Sequence, residues 1–354
     1  VFKENECVIS EVIVPKQPNE ISFPLSDFLQ RDYFKLLSKL PHVFFKTKRV
    51  QSGTRNTAVV KYNNNYYAVE ESCTPIKLIY NDNHEIQYDG LEENISRMSV
   101  HMPDEYTMFS YMYPTPNGYP LKLNNTLTIP WMPKKYPFIV HDCKISENKQ
   151  FYIFPIMSSG MGRMMDYFKN IIDMPIDEQN NKAGWLIYDI VNNTATEIFM
   201  DEFADIFHIT EIKQLYRNVY KIYASFVYNF PMWLTGAGKL DIKLKEVVID
   251  IDNYKIIKIH DTGLKMDFTK KVGNELIGSS LEESPSVIKY NTITKENIRL
   301  CLPGKTVREV IPFDDYFIYF SHDTNESFLY IINATTSEIL NKIITELVAV
   351  SYTH

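Results

Sequence analysis

Four of the eight histidines in this sequence follow apolar, strand-like runs, a setting that can present an imidazole to a metal ion. A single histidine in such a place is more often a hydrogen-bonded core residue, so only the four histidines together indicate a metal site. The separations along the set are 40, 67 and 146 residues, which match no local zinc motif. If the four meet, the fold must bring them together, and neutral imidazoles then suit iron, copper, nickel or zinc. They are His101, His141, His208 and His354.

Carboxylates are the second part of such a site, because a metal-bound imidazole usually donates its other N–H group to one, which fixes the tautomer. Three glutamates at the ends of apolar strands are candidates for this role: Glu71, Glu283 and Glu309. Taken singly, each is an ordinary solvated acid at a strand edge. The histidines make the metal-site interpretation worth testing.

The composition favours a large all-β protein. The chain has 354 residues, of which 45% are hydrophobic, and its 24 tyrosines and 21 phenylalanines suit half-buried strands better than helices. A net charge of −7 without a long basic run argues against a nucleic-acid partner. The four cysteines are widely scattered, which indicates a reducing compartment. The sequence contains no apolar run of about 18 residues, the length that would predict a membrane-spanning helix.

Two-stranded units recur along most of the chain. In the stretch 136–156, apolar residues lead into His141, a polar segment turns the chain, and a second apolar run follows. Similar pairs of runs flank Asn63–Asn65, Asn192–Asn193 and Asn253. Small units at intervals of a few tens of residues predict a β-propeller, although no strict sequence repeat accompanies them.

The beginning of the sequence departs from this pattern. Ser26–Leu40 has apolar residues at helical spacing, and Ser26 can cap a helix there. The apolar Val43–Phe45 that follows has basic neighbours. Two interpretations stay open for this region, a peripheral membrane contact and a segment packed on the core.

Several segments, in order along nearly the whole chain, resemble the carotenoid cleavage oxygenase family, and within it the animal branch of β-carotene oxygenases and retinoid isomerohydrolases. One of them, VHDCKISENKQFYIFP, resembles a family hairpin that begins with a histidine. All four histidines fall on the positions of the family's iron ligands, and the three glutamates fall on the carboxylates that hold those ligands. The matching segments are Thr54–Leu78, Ser99–Met112, Val140–Pro155, Ala183–His208 and Leu329–His354.

This resemblance implies a single domain over residues 1–354, an all-β, seven-bladed β-propeller with helical cap loops, in which Ser26–Leu40 belongs to a membrane-facing cap. It implies Fe²⁺ bound by the four histidines. Glu71, Glu283 and Glu309 would orient the imidazoles. Four neutral ligands leave the iron its full charge and open positions for O2, so no catalytic side chain beyond the metal site is required.

The function that the resemblance implies is oxidative cleavage of a polyene double bond in β-carotene or a related carotenoid, giving retinal or another apocarotenal. Two alternatives stay open. One is a retinoid isomerohydrolase that acts on a retinyl ester, and the other is a non-catalytic propeller that binds lipid or protein. We expect a cytoplasmic protein with peripheral membrane contact. The family's segments before Val1 and after His354 are not found, so we expect a fragment whose propeller is incomplete at both ends.

Overall fold

The computed structural model describes residues 2–3, 6–7, 20–22, 49–51, 58–69, 74–80, 86–92, 95, 98–111, 121–131, 141–156, 182–228, 241–280, 286–301, 306–313, 315–322 and 327–345. Every regular element within them is a β-strand, which confirms the all-β prediction. None of them forms a helix with the length and apolarity needed to cross a bilayer. The predicted helix Ser26–Leu40 lies outside the described residues.

These residues group into two compact units, one up to Cys143 and the other from Lys144 onward. The first unit has a four-stranded sheet, a three-stranded sheet and two short pairs, of which β3 and β4 are parallel. A small apolar core that includes Val69, Met98 and Met108 supports the two larger sheets. The strands are β1 Phe2–Lys3, β2 Glu6–Cys7, β3 Glu20–Ser22, β4 Arg49–Gln51, β5 Ala58–Tyr62, β6 Asn65–Val69, β7 Ile76–Tyr80, β8 Ile86–Leu91, β9 Phe109–Tyr111, β10 Leu121–Leu123 and β11 Leu127–Thr128.

The second unit consists of four sheets of four antiparallel strands each. The first sheet holds β12 Lys144–Ile145, β13 Phe151–Ile156, β14 Gly184–Asp189 and β15 Thr194–Phe199. The second holds β16 Asp205–Tyr216, β17 Val219–Val227, β18 Ile242–Asp250 and β19 Lys255–Asp261. The third holds β20 Met266–Val272, β21 Glu275–Ser280, β22 Ser286–Asn291 and β23 Asn297–Cys301. The fourth holds β24 Thr306–Phe313, β25 Tyr316–His322, β26 Ser327–Asn333 and β27 Ile339–Thr345.

Each of the six larger sheets pairs only strands that follow one another in the sequence, the meander that forms a β-propeller blade. The described residues therefore hold six blades, whereas the sequence predicts seven. The buried fraction of the side chains decreases from the middle strands of a blade to its last strand. In the second sheet of the second unit, β17 and β18 are almost fully buried, while every residue of β19 except Ile256 is exposed. The middle strands read as nearly continuous apolar runs because both of their faces pack against other side chains.

One turn recurs between the third and fourth strands of all four sheets of the second unit. An Asp or Asn at the end of the third strand accepts hydrogen bonds from backbone N–H groups two or three residues further on, for example Asn333 from Thr335 and Thr336 at 2.9 and 2.8 Å. Four positions after each of these residues the backbone turns left-handed, with φ between 49° and 65°. The residues that accept are Asp189, Asp250, Asn291 and Asn333, and the left-handed ones are Asn193, Tyr254, Lys295 and Ser337.

Candidate metal centre

Two of the predicted ligands, His101 and His141, lie side by side in the first unit. The backbone N–H of His101 donates to the carbonyl oxygen of His141 at 3.1 Å. The two rings meet edge to face, with centroids 5.1 Å apart and planes at 76°. The hydroxyl of Ser99 donates to the His101 carbonyl oxygen at 2.9 Å, and the side chain of His141 is buried. His101 lies in a bend, which differs from the predicted strand end, and His141 lies in irregular backbone, with the run that leads into it outside the described residues.

The third predicted ligand, His208, lies within the long strand β16, close to its beginning. The pairing register of β16 with β17 shifts between Ile206 and Ile209, so two residues of β16 oppose one of its neighbour. Such a β-bulge changes the direction in which a side chain points and is common beside functional sites. The Nδ1 atom of His208 lies 2.8 Å from Oδ1 of Asp267, and both side chains are buried.

Asp267 lies at a second bulge, in β20, where the register with β21 shifts between Asp267 and Lys270. Phe268 within this bulge is left-handed, with φ of 51°. Gly278 of β21 faces the bulge, and a Cβ atom there would come within 2.8 Å of the Asp267 carbonyl oxygen and of Met266 Cε. The glycine therefore allows the close approach of the two strands that places Asp267.

A third bulge lies at the corresponding place in β24, where the register with β25 shifts between Val307 and Val310. The predicted carboxylate residue Glu309 lies in this interval. First strands of three successive sheets thus carry a bulge near their beginning, and each bulge contains or adjoins a residue that can act at a metal site.

Ligand-capable side chains lie in pairs within each unit: His101 beside His141 in the first, and His208 beside Asp267 in the second. The carboxylate of Asp267 faces the Nδ1 side of His208, which is the arrangement that fixes the tautomer of a metal-binding imidazole. Imidazole nitrogens in a largely buried setting fit iron(II), and they also fit zinc, copper or nickel. His354, Glu71 and Glu283 lie outside the described residues.

Asp267 is not among the three glutamates that the sequence pattern predicts as partners of the histidines. The sequence nevertheless contains a pattern that could have identified Asp267. The segment Met266-Asp267-Phe268 opens β20 with a buried acid followed by an aromatic residue, much as Asp205-Ile206-Phe207 opens β16 ahead of His208. An acid at the start of a first strand was therefore as good a candidate as the glutamates that end apolar runs.

Comparison with known proteins supports the fold. No family model and no curated protein matches the sequence. Among solved structures, a Synechocystis apocarotenoid oxygenase (ACO) mutant and the cobalt-substituted Synechocystis ACO match with a TM-score of 0.60, at 12% and 13% identity. An ACO/RPE65 chimera matches with a TM-score of 0.59 at 13% identity. In all three cases the match covers 84% of this chain and 73% of the other. The chain therefore has the β-propeller fold of the carotenoid oxygenases.

Proposed function

We propose that this chain is a non-haem iron(II) dioxygenase that cleaves a polyene double bond of β-carotene or a related carotenoid with O2. The observation that carries the proposal is the presence of His101 beside His141 in the first unit, and of His208 held by Asp267 in the second, on a fold shared with apocarotenoid oxygenase. The cobalt-substituted neighbour supports a metal in this fold. Imidazole ligands bring no charge of their own, which suits a metal that must still bind O2.

In this proposal the residues of the chain bind and orient the metal, and none of them acts as a nucleophile. His101, His141 and His208 would bind Fe²⁺ through ring nitrogens, together with His354. Bound Fe²⁺ would supply open coordination positions at which O2 is activated. Asp267 accepts the Nδ1 proton of His208, which fixes the tautomer and the direction of its Nε2 lone pair. Burial of His141 and His208 keeps bulk water away from this side of the site.

The three predicted glutamates keep their proposed role of orienting the remaining imidazoles. Glu309 is the member of this set whose backbone the structure describes, in the bulge of β24. The proposed substrate is apolar, and its long polyene would be held by apolar and aromatic side chains, in which the sequence is rich.

The test uses iron-loaded protein that is incubated with β-carotene and analysed by HPLC. We expect an apocarotenal product, and the His141→Ala variant should lose both bound iron and product. The matched control is His260→Ala, which removes an exposed histidine of β19 and should leave both unchanged.

Two outcomes would overturn the proposal. Protein that binds no iron after reconstitution would leave a non-catalytic propeller. Iron-loaded protein that converts retinyl ester to an isomerised alcohol, without making any aldehyde from carotenoids, would point to the isomerohydrolase reaction.

A further inference from the structure

A groove of about 480 Å³ runs along the outer edge of the second sheet of the second unit. Five consecutive residues of β19, from Lys255 to Ile259, line it. Side chains of a strand alternate between its two faces, so a groove lined by consecutive residues follows the strand edge. None of the predicted site residues lines this groove.

The edge of β19 is open to another strand. β19 is the last strand of its sheet, and among the described residues no strand pairs with its outer side. An edge of this kind presents unpaired N–H and C=O groups to any extended chain that lies beside it. The opposite wall of the groove comes from Phe199 at the end of β15, also the last strand of its sheet, from Met200, and from Asp201, which is already paired with Lys182.

The side chains at this edge combine apolar and basic character. Ile257 and Ile259 are 47% and 42% exposed, and Tyr254 in the preceding turn is 60% exposed. The pairing register of β19 with β18 shifts at Ile257, which is an extra residue, so Lys255 and Lys258 lie on one face of the strand and Ile256 and Ile259 on the other. Lys255 and Lys258 are exposed as well, and within the part of the chain that the structure describes Lys258 forms no ion pair. This basic strand contrasts with the net charge of −7 of the whole sequence.

Charge decides which occupant fits. A second copy of β19 paired antiparallel about Lys258 would place two ammonium groups opposite each other, which is unfavourable. Asp261 at the end of the strand does not relieve this, because its carboxylate already accepts from the Gly263 N–H at 2.8 Å and lies 3.8 Å from Lys243 Nζ. An extended segment with acidic side chains satisfies the lysines and the strand edge together.

We propose that this groove binds an extended acidic peptide segment of a partner protein, which adds to β19 as a fifth strand of the sheet. Main-chain hydrogen bonds to the edge would supply affinity. Apolar side chains of the peptide would pack on Ile256 and Ile259, and its carboxylates, on the other face, would pair with Lys255 and Lys258. The inference does not depend on the oxygenase proposal, since it uses none of the metal-site residues.

The first test is fluorescence anisotropy of the whole chain with a labelled peptide in which Asp and Val alternate over about six residues, the usual strand length. We expect binding that weakens as salt is added. The double variant Lys255→Glu/Lys258→Glu should weaken it about tenfold, because two attractive charge pairs become repulsive. The control Lys213→Glu reverses an exposed lysine in the first strand of the same sheet and should leave binding unchanged.

The second test follows amide hydrogen exchange over Lys255–Asp261, where bound peptide should slow exchange on the open edge. Binding without this protection would contradict strand addition. Equal binding of a peptide in which Lys and Val alternate, or no loss in the double variant, would overturn the charge argument. Vesicles of phosphatidylserine and phosphatidylcholine serve as the other class of probe. Binding to vesicles through the same lysines, without binding to the peptide, would assign the groove to a membrane surface instead.

Discussion

His208 and Asp267 are joined by a 2.8 Å contact between Nδ1 and Oδ1 although 59 residues separate them in the sequence. Each lies at a bulge in the first strand of its own sheet, and the sheets are successive. The contact links a predicted metal ligand to a carboxylate in the neighbouring blade. A substitution at this contact can therefore affect both metal binding and the packing of the two blades.

Replacing Asp267 with asparagine should weaken metal binding while leaving the fold in place. The amide keeps the shape of the side chain and an oxygen that can accept from His208, but it removes the charge that favours the correct tautomer. Loss of such a partner typically lowers metal affinity by about 10–100-fold. Metal content after dialysis against graded chelator would measure this. Asp252→Asn, at an exposed turn, is the control, and equal metal retention in both variants would contradict the role given to Asp267.

Replacing Gly278 with alanine should disturb both stability and metal retention. The new Cβ would lie 2.8 Å from the Asp267 carbonyl oxygen, so the bulge must move, at a cost of about 1–3 kcal/mol. Gly184→Ala offers a matched comparison, because its Cβ would lie 2.9 Å from the carbonyl oxygen of Ile198 in a blade without a described ligand bulge. Urea unfolding should show that both variants are less stable, and metal analysis should show a loss only for Gly278→Ala.

Replacing Glu246 with glutamine should lower stability near neutral pH. The carboxylate is buried, and it accepts from Tyr223 Oη at 2.5 Å and from Lys295 Nζ at 2.8 Å. Burial favours the uncharged acid, but the hydrogen bonds from Lys295 and Tyr223 outweigh it and hold the Glu246 pKa below its ordinary value of 4.5. We expect a loss of about 1–3 kcal/mol, as for a hydrogen bond to a buried charged group.

The pH dependence gives a second check on Glu246. A carboxylate whose pKa is lowered by folding adds stability above the unfolded pKa, and this stability disappears as the pH falls through the folded pKa. The difference in unfolding free energy between wild type and Glu246→Gln should therefore hold above pH 4.5 and shrink below it. Urea titrations over this range measure the difference, and a gap that widens in acid would refute the ion-pair role.

Replacing Asn333 with alanine should destabilise the last sheet by about 1 kcal/mol, because two backbone N–H groups lose their acceptor. Asn333→Asp keeps the accepting oxygen and should remain close to wild type. Thermal unfolding of the two variants tests the idea. If alanine and aspartate behave alike, the side-chain oxygen of this turn contributes nothing measurable.

Hairpins with strong turn residues could be predicted from the sequence. The runs around Asn192–Asn193 and Asn253 form the expected pairs, since an Asp or Asn closes each turn. The aromatic run that begins at Val219 is typical of a strand, and it forms β17. The turn between the third and fourth strands is a structural repeat of the second unit. Only its Asp or Asn and the left-handed residue four positions later recur, and most other positions vary, so the repeat is hard to see in the sequence.

Other features could not be predicted from the pattern. The sheet from β20 to β23 was not anticipated, because Asp267, Lys270 and Lys271 interrupt the apolar alternation of its first strand. The apolar run before His101 is not the strand that its pattern predicts, since Met98 makes only an isolated bridge and His101 lies in a bend. Bulges leave little trace in a sequence, and the contact of His208 with Asp267 depends on them, so the composition of the site was more predictable than its geometry.

The strictly sequential pairing within each blade also bears on how the protein folds. Every strand of the six larger sheets pairs with the strand next to it in the sequence, so the loop-closure entropy lost in forming each sheet is small. Each blade can therefore assemble as its residues leave the ribosome. The contact between His208 and Asp267 joins the first strands of two successive blades, so its formation reports that these two blades have docked.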